Sequence, residues 1–351
     1  MNPIALVMIV RNEARCLARC LASVRPWVDE MLVLDTGSTD DTVQIAQREG
    51  AQVHHFVWVD DFAAARNHAL SMARSPWRLV LDADEWIESG ADSLDALRRT
   101  SPSFIGQLSV VSRIGEAHAP LHAPSWLPRV LPQGVVYAGR IHEQPQSPLP
   151  RRRLPLVLGH DGYLPAQMQT KQGRNEALLR RALAEHPGDA YWSYQLGKDL
   201  EIRGQFAAAL PLYQAARLGV APQAAWRHDL VLRLLFTLKS LRHFDAAQAL
   251  ADAEASNWEQ SPDFHFTLGD LLLDQALSDP TQAHALLPRI EASWRRAVEI
   301  GERPDLPDSV RGRGSFLAAH NLAVFHESLG QPAQARLWRE RSREWREAPV
   351  A

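Results

Sequence analysis

Apolar positions near the start of the chain come in short unbroken runs, separated by stretches of helical spacing. Ile4–Val10 is one such run, as expected of a buried strand. Within Asn12–Val24, Leu17, Cys20, Leu21 and Val24 recur three and four apart, which marks one face of a helix. Met31–Leu34 is a second run, ended by Asp35-Thr36-Gly37-Ser38. Thr39 or Asp40 can cap the next helix and Gly50 can stop it. Val53–Val59 predicts a third strand, Phe62–Arg74 an alanine-rich helix, and Trp77–Leu81 a fourth strand closed by Asp82-Ala83-Asp84-Glu85. Strands alternating with helices predict parallel crossovers and an α/β sheet covered on both faces. Ligands of such sheets gather at the carboxyl ends of the strands, where Asp35 and Asp82 are expected.

The pattern then changes twice. From about Ser103 to Gly159 proline becomes frequent and short extended stretches appear, Leu108–Ser112 and Val135–His142 among them. This predicts irregular strands and loops that finish the first domain, with Arg151-Arg152-Arg153 on a solvated loop or against an acidic ligand. The rear of the chain repeats itself. Leu196-Gly197 precedes Gly204-Gln205-Phe206 and Ala207-Ala208-Ala209; Arg242-His243-Phe244 precedes Ala246-Ala247; Leu268-Gly269 and Leu329-Gly330-Gln331 echo the theme. Small residues where helices cross, and glycine at the turn, are what stacked helical hairpins need. The pattern resembles degenerate tetratricopeptide repeats. Tryptophans recurring along this half suit its core.

Composition sharpens the division. Residues 1–165 hold 23 Val plus Ile and 18 Ala, against 9 and 31 in residues 166–351. Beta-branched residues favour strands and alanine favours helices. The expected domains are therefore 1–165, built on a sheet, and 166–351, all helical. A chain of 351 residues with 46% hydrophobic and 23% charged residues excludes disorder, collagen and a coiled-coil rod. A formal charge of -3 gives no global case for nucleic acid. Cys16 and Cys20, the two cysteines, make no disulfide framework; they lie one helical turn apart and suit the core. No apolar run approaches the ~20 residues of a bilayer span, and Ile4–Val10 makes a poor signal peptide. A reduced, cytoplasmic protein is expected.

The candidate chemistry lies in the front domain. Asp82 and Asp84 at a strand end would point to the same side, and paired carboxylates suit a hard divalent cation that can clamp a diphosphate. Asp35 can accept hydrogen bonds from a base or ribose while its neighbours form a turn and a helix cap. Arg66 stands on an otherwise apolar helix, where a guanidinium is costly unless paired. Neither a Gly-x-x-x-x-Gly-Lys loop nor a Gly-x-Gly-x-x-Gly fingerprint occurs, which argues against ATPase and dehydrogenase functions.

Four segments in order carry a resemblance: Val10-Arg11-Asn12-Glu13, Leu34-Asp35-Thr36-Gly37-Ser38-Thr39-Asp40, Asp61-Phe62-Ala63-Ala64-Ala65-Arg66-Asn67 and Leu81-Asp82-Ala83-Asp84-Glu85. They resemble the family-two glycosyltransferases of GT-A fold, in the subgroup whose catalytic domain is followed by tetratricopeptide-like helices. The resemblance implies an inverting, metal-dependent transfer of a hexose from a nucleotide-diphosphate sugar, UDP-glucose or similar, to a protein, peptide or glycan. It implies that Arg11, Asn12, Glu13, Asp35, Arg66 and Ala83 line the nucleotide-sugar pocket. Asp82 and Asp84 would bind Mg²⁺ or Mn²⁺, Glu85 would sit beside the metal or the donor sugar, and His160 would be a further metal ligand. Gly139-Arg140-Ile141-His142-Glu143 resembles a Gly-x-Ile-His-Glu segment of the subgroup, so Glu143 is the first candidate base and His142 the second. On a strand, only one of the two would face the site.

The helical half would recognise the acceptor or mediate a homodimer. The rival from another class is a tetratricopeptide scaffold with a degenerate transferase domain; intact Asp35, Arg66, Asp82 and Asp84 speak against it. A phosphatase or nucleotidyltransferase built on Asp82 and Asp84 would need a nucleophilic Asp or a Gly-rich loop after the first strand, where Arg11-Asn12-Glu13 stands instead.

Overall fold

The computed structural model describes residues 1–114, 121–161, 173–306 and 308–347. The chain forms two compact units, Met1–Ala182 and Leu183–Ala351. The expected domain boundary at 165/166 lies outside the described residues.

In the front unit, β1 (Ile4–Val10), β2 (Glu30–Asp35), β3 (Gln52–His55) and β4 (Trp77–Val80) pair in parallel in the order β3-β2-β1-β4. Strand β1 is buried on both sides, which explains its unbroken apolar run. Ile4, Leu6, Met8 and Val10 join a core with Leu17, Leu21 and Val24 of helix α1 (Leu17–Val24). Ala5 and Val7 join another with Ala63, Ala65, Ala69 and Leu70 of helix α3 (Phe62–Met72). Helix α2 (Thr42–Arg48) starts where Asp40 Oδ1 accepts from the Thr42 amide, 3.1 Å away. Helix α4 (Ser93–Arg98) buries Leu94 and Leu97.

Three expectations are corrected. The third strand stops at His55 rather than Val59: Val57 is 84% exposed and Val59 50%, so beyond Phe56 no partner strand rewards an extended chain. The described residues of 103–159 are not mainly irregular. They supply β6 (Ile105–Ile114), β7 (Leu121–Pro132) and β10 (Arg151–His160), which continue the main sheet together with β5 (Glu85–Ser89) in the order β4-β7-β6-β10-β5. Pairings of β7 with β4 and β6, and of β5 with β10, are antiparallel, so the sheet is mixed. Register shifts within β6·β7 and β6·β10 fall at Pro128 and Pro155. Arg151-Arg152-Arg153 accordingly opens a strand, not a loop. The Arg152 and Arg153 guanidinium groups lie over the rings of Phe104 and Trp126, 4.7 and 4.6 Å from the centroids.

The second unit is helical, and helix α5 (Arg174–Glu185) contains the division between the units. Then follow α6 (Ala190–Ile202), α7 (Phe206–Gly219), α8 (Arg227–Ser240), α9 (Phe244–Glu254), α10 (Pro262–Ser278), α11 (Ala283–Ile300), α12 (Phe316–Ser328) and α13 (Pro332–Glu347). The echoing tripeptides fall at equivalent turns: Gly204, Arg242 and Gly330 each close a helix in the left-handed region, at φ of +73°, +60° and +68°. Gly197 lies against the Tyr213 ring and Gly269 against Trp294, so small residues do mark the helix crossings. The fold class is thus an α/β unit of GT-A type followed by an all-α repeat unit. Among the described residues no helix is long and apolar enough to cross a membrane.

Candidate functional site

The carboxyl ends of β1, β2 and β4 lie along one edge of the sheet, and β1 has a sequence neighbour on one side and a later strand on the other. Such a switch point leaves a crevice above the strand ends. Arg11-Asn12-Glu13 follows β1 there. Asn12 adopts φ +56°, and its Oδ1 accepts from the Thr39 amide at 2.7 Å. The Glu13 amide donates to Thr42 Oγ1 at 2.7 Å, while Arg11 is exposed. Asp35 is buried and turns its carboxylate onto the amides of Gly37 and Ser38, with His55 Nδ1 at 3.4 Å. Its turn-forming role is therefore occupied.

Asp82-Ala83-Asp84-Glu85 forms a tight turn between β4 and β5, closed by a Glu85 amide to Asp82 carbonyl bond of 3.0 Å. In this turn the carboxylates of Asp82 and Asp84 take different partners. Asp82 Oδ1 accepts from Arg66 Nη2 at 2.7 Å and Oδ2 from Arg129 Nη2 at 2.8 Å. Asp84 instead meets His160, Nε2 to Oδ2 3.5 Å, and His160 Nδ1 lies 3.0 Å from Ser112 Oγ. Ala83 is buried between them in sequence.

Glu85 is 2% exposed; its carboxylate accepts from the Asp82 amide at 2.9 Å and from Arg129 at 2.5 Å. Arg66 joins the other side of the cluster, where its Nε donates to Glu143. Asp82, Glu85 and Glu143 thus bring three carboxylates to two guanidinium groups. Burial opposes charge on Asp82, yet Arg129 and Arg66 prevail and hold its carboxyl far below the usual range. For Glu85 burial wins over Arg129, and its carboxyl is raised. Burial likewise lifts the Tyr137 hydroxyl to about 12. Arg66 Nη1, Arg129 Nε and the Tyr137 hydroxyl are buried without an acceptor among the described residues.

The Gly139–Glu143 segment is not a strand. It is the turn joining β8 (Val136–Ala138) to β9 (Gln144–Gln146), with Gly139 at φ +102° and His142 at +50°. His142 is exposed, whereas Glu143 is turned inward to Arg66. Among the described residues no three His, Cys, Asp or Glu side chains come together as a metal cluster; Asp84 and His160 form a pair.

Arg129 escaped the sequence reading. The signal was present, since it interrupts Leu127-Pro128-Arg129-Val130-Leu131 just as Arg66 interrupts an apolar helix. Ser112 and the Asp161 carboxylate, which receives both Arg15 and Arg19 at 2.8–3.1 Å, carried no such signal.

Residues 5–98 match the model of glycosyl transferase family 2. The front of the chain is thus similar to family-two glycosyltransferases. A TPR repeat-containing protein of Synechococcus elongatus is 36% identical over 264 residues, 70% of this chain and 64% of that protein. The SPbeta prophage-derived glycosyltransferase SunS of Bacillus subtilis is 29% identical over 204 residues, 56% of this chain and 48% of that one. The chain thus spans roughly half to just under two thirds of these relatives' lengths. Among solved structures, glucosyl-3-phosphoglycerate synthase from Mycobacterium tuberculosis, in complex with Mn²⁺, UDP and glucosyl-3-phosphoglycerate, is 24% identical over 32% of this chain and 44% of that chain, with a TM-score of 0.27.

Proposed function

We propose that the chain is a metal-dependent glycosyltransferase that moves a hexose from a nucleotide-diphosphate sugar, UDP-glucose first among candidates, to a protein, peptide or glycan, with inversion at the anomeric carbon. The observation that carries this reading is the Asp84–His160 pair beside the arginine–carboxylate network, in which Arg66, Asp82, Asp84 and Glu85 lie within the residues that match family two. The glycosyltransferase name of the SunS relative supports the same class.

Asp84 and His160 fit a divalent cation. A carboxylate oxygen and an imidazole nitrogen converge, and the other ring nitrogen rests on Ser112, the kind of outer partner that orients ligating histidines. Asp82 fits less well as a ligand, because both oxygens are taken by guanidinium groups; its role is to fix Arg66 and Arg129. Mg²⁺ or Mn²⁺, when bound, would supply positive charge for the departing diphosphate. Arg11, Asn12, Glu13, Asp35 and Ala83 edge the nucleotide pocket, and Glu85 backs it by holding Arg129. Glu143 accepts the acceptor's proton as the new bond forms, with His142 the second candidate. The helical unit recognises the acceptor or pairs two copies, and a cytoplasmic setting belongs to the same proposal.

Calorimetric titration with UDP, with and without Mn²⁺, tests it. The unaltered chain is expected to bind only with the ion, and His160→Ala or Asp84→Asn to weaken that binding by about 10–100-fold. No heat from the unaltered chain favours the scaffold; equal binding in EDTA removes the metal from the reading.

A further inference from the structure

The Asp61–Asn67 segment opens α3, and its polar groups converge on the hairpin that carries Glu143. Asp61 Oδ2 lies 3.6 Å from Arg140 Nη1, and the Phe62 amide donates to the Arg140 carbonyl at 2.8 Å. Arg66 holds Glu143 itself. Asn67 makes the most specific contact: its Nδ2 donates to the Tyr137 carbonyl at 2.9 Å, and its Oδ1 accepts from the Tyr137 amide at 2.7 Å. One side chain thereby gives Tyr137 the donor and acceptor that a neighbouring strand would give. Both backbone groups of Tyr137 thus turn to α3 and not to Pro145, the residue opposite on β9. One helix thus fixes the hairpin at residues 137, 140 and 143. Between the last two the backbone passes through His142 at φ +50°, a conformation that persists only when its surroundings over-determine it.

We propose that Asn67 is a positioning residue for the transfer: its double bond to the Tyr137 backbone sets where the turn holds Glu143. The inference rests on Glu143 being the base. It assigns Asn67 to the alignment of proton removal and not to donor binding.

Azide separates these roles. Its nitrogen bonds to the anomeric carbon as the bond from that carbon to the diphosphate oxygen breaks. The electron pair leaves on the diphosphate, and no proton has to be removed. The measurement is the rate of UDP release from UDP-glucose with Mn²⁺, or from whichever nucleotide-sugar the unaltered chain hydrolyses, with and without sodium azide. Asn67→Ala is expected to slow release about 10–100-fold, the order a misplaced group costs. UDP affinity should stay within about twofold, and azide should restore the rate there as in Glu143→Gln. Asn67→Asp keeps the acceptor for the Tyr137 amide and should lose less; it decides by the same comparison if the alanine variant does not fold.

A wild-type rate in Asn67→Ala, or a loss that azide leaves in place, overturns the inference. If Glu143→Gln keeps its rate, the base assignment falls first. If Glu143→Gln is slow and azide-rescued while Asn67→Ala is not, only the role of Asn67 falls. An unaltered chain that hydrolyses no nucleotide-sugar sinks the transferase reading, and this inference with it.

Discussion

Arg129→Met tests whether the arginine–carboxylate network is held by charge. The substitution keeps the stem packed in β7 and removes the guanidinium that contacts Asp82 at 2.8 Å and Glu85 at 2.5 Å. Asp82 retains Arg66, so the burden falls on Glu85, at 2% exposure. Removing one partner of a buried ion pair costs about 3–5 kcal/mol, which for a unit of this size is a fall in Tm of about 6–20 °C. The sign of the pH dependence follows from Glu85. Burial already raises its carboxyl above the unfolded value, with Arg129 the largest opposing influence; without Arg129 it rises further. A carboxyl whose folded pKa exceeds its unfolded pKa binds more protons when folded, so stability falls as pH climbs from the unfolded toward the folded value. The loss should therefore be larger at pH 8 than at pH 5. Scanning calorimetry of both proteins at the two pH values measures it. Glu85→Leu added to Arg129→Met should recover part of the loss, since no carboxylate is then left buried alone beside it. A loss under about 1 kcal/mol at pH 8, or one equal at both pH values, would refute the reasoning.

Two further outcomes follow from packing and burial. Gly159→Ala would drive a methyl group into the Trp86 ring, which already lies under the Arg19 guanidinium at 3.9 Å; the expected loss is about 1–3 kcal/mol, read by urea denaturation, and unchanged stability would show that the ring moves freely. The Cys16 and Cys20 thiols are both buried, and burial raises both thiols, helped at Cys16 by Glu13 and at Cys20 by Glu85; in native protein at pH 8 neither should react with iodoacetamide on the time scale of an unfolded control, which peptide mass spectrometry reads directly.

Part of the site was legible because it obeys local rules. The turn at Asp35 announces itself by Gly37 and Ser38, and Arg66 by its lone charge on an alanine helix. The double-sided burial of β1 follows from an unbroken apolar run. Other features violate the rule applied to them. Asp82 and Asp84 were expected on one face by strand periodicity, but a turn intervenes and sends one to Arg66 and Arg129 and the other to His160. Gly139–Glu143 was read as a strand, yet left-handed residues at 139 and 142 bend it into a hairpin turn. Prolines after Ser103 suggested loops; the sheet admits Pro128 and Pro155 at register shifts and Pro132 at a strand end.

The amino-acid sequence by itself determined what depends on neighbours along the chain: the parallel strands and their helices, the alanine-rich repeat half, and the four segments that resemble family-two glycosyltransferases. Tertiary structure decided which charges meet. Arg129 reaches Asp82 and Glu85 from 47 and 44 positions away, Glu143 reaches Arg66 from 77, and Asn67 reaches Tyr137 from 70. A carboxylate's partner is set by whichever cation the sheet order brings within about 3 Å, and that order, with β7 inserted beside β4 and the β8–β9 hairpin fastened to α3, is fixed only when the whole unit closes around its two cores.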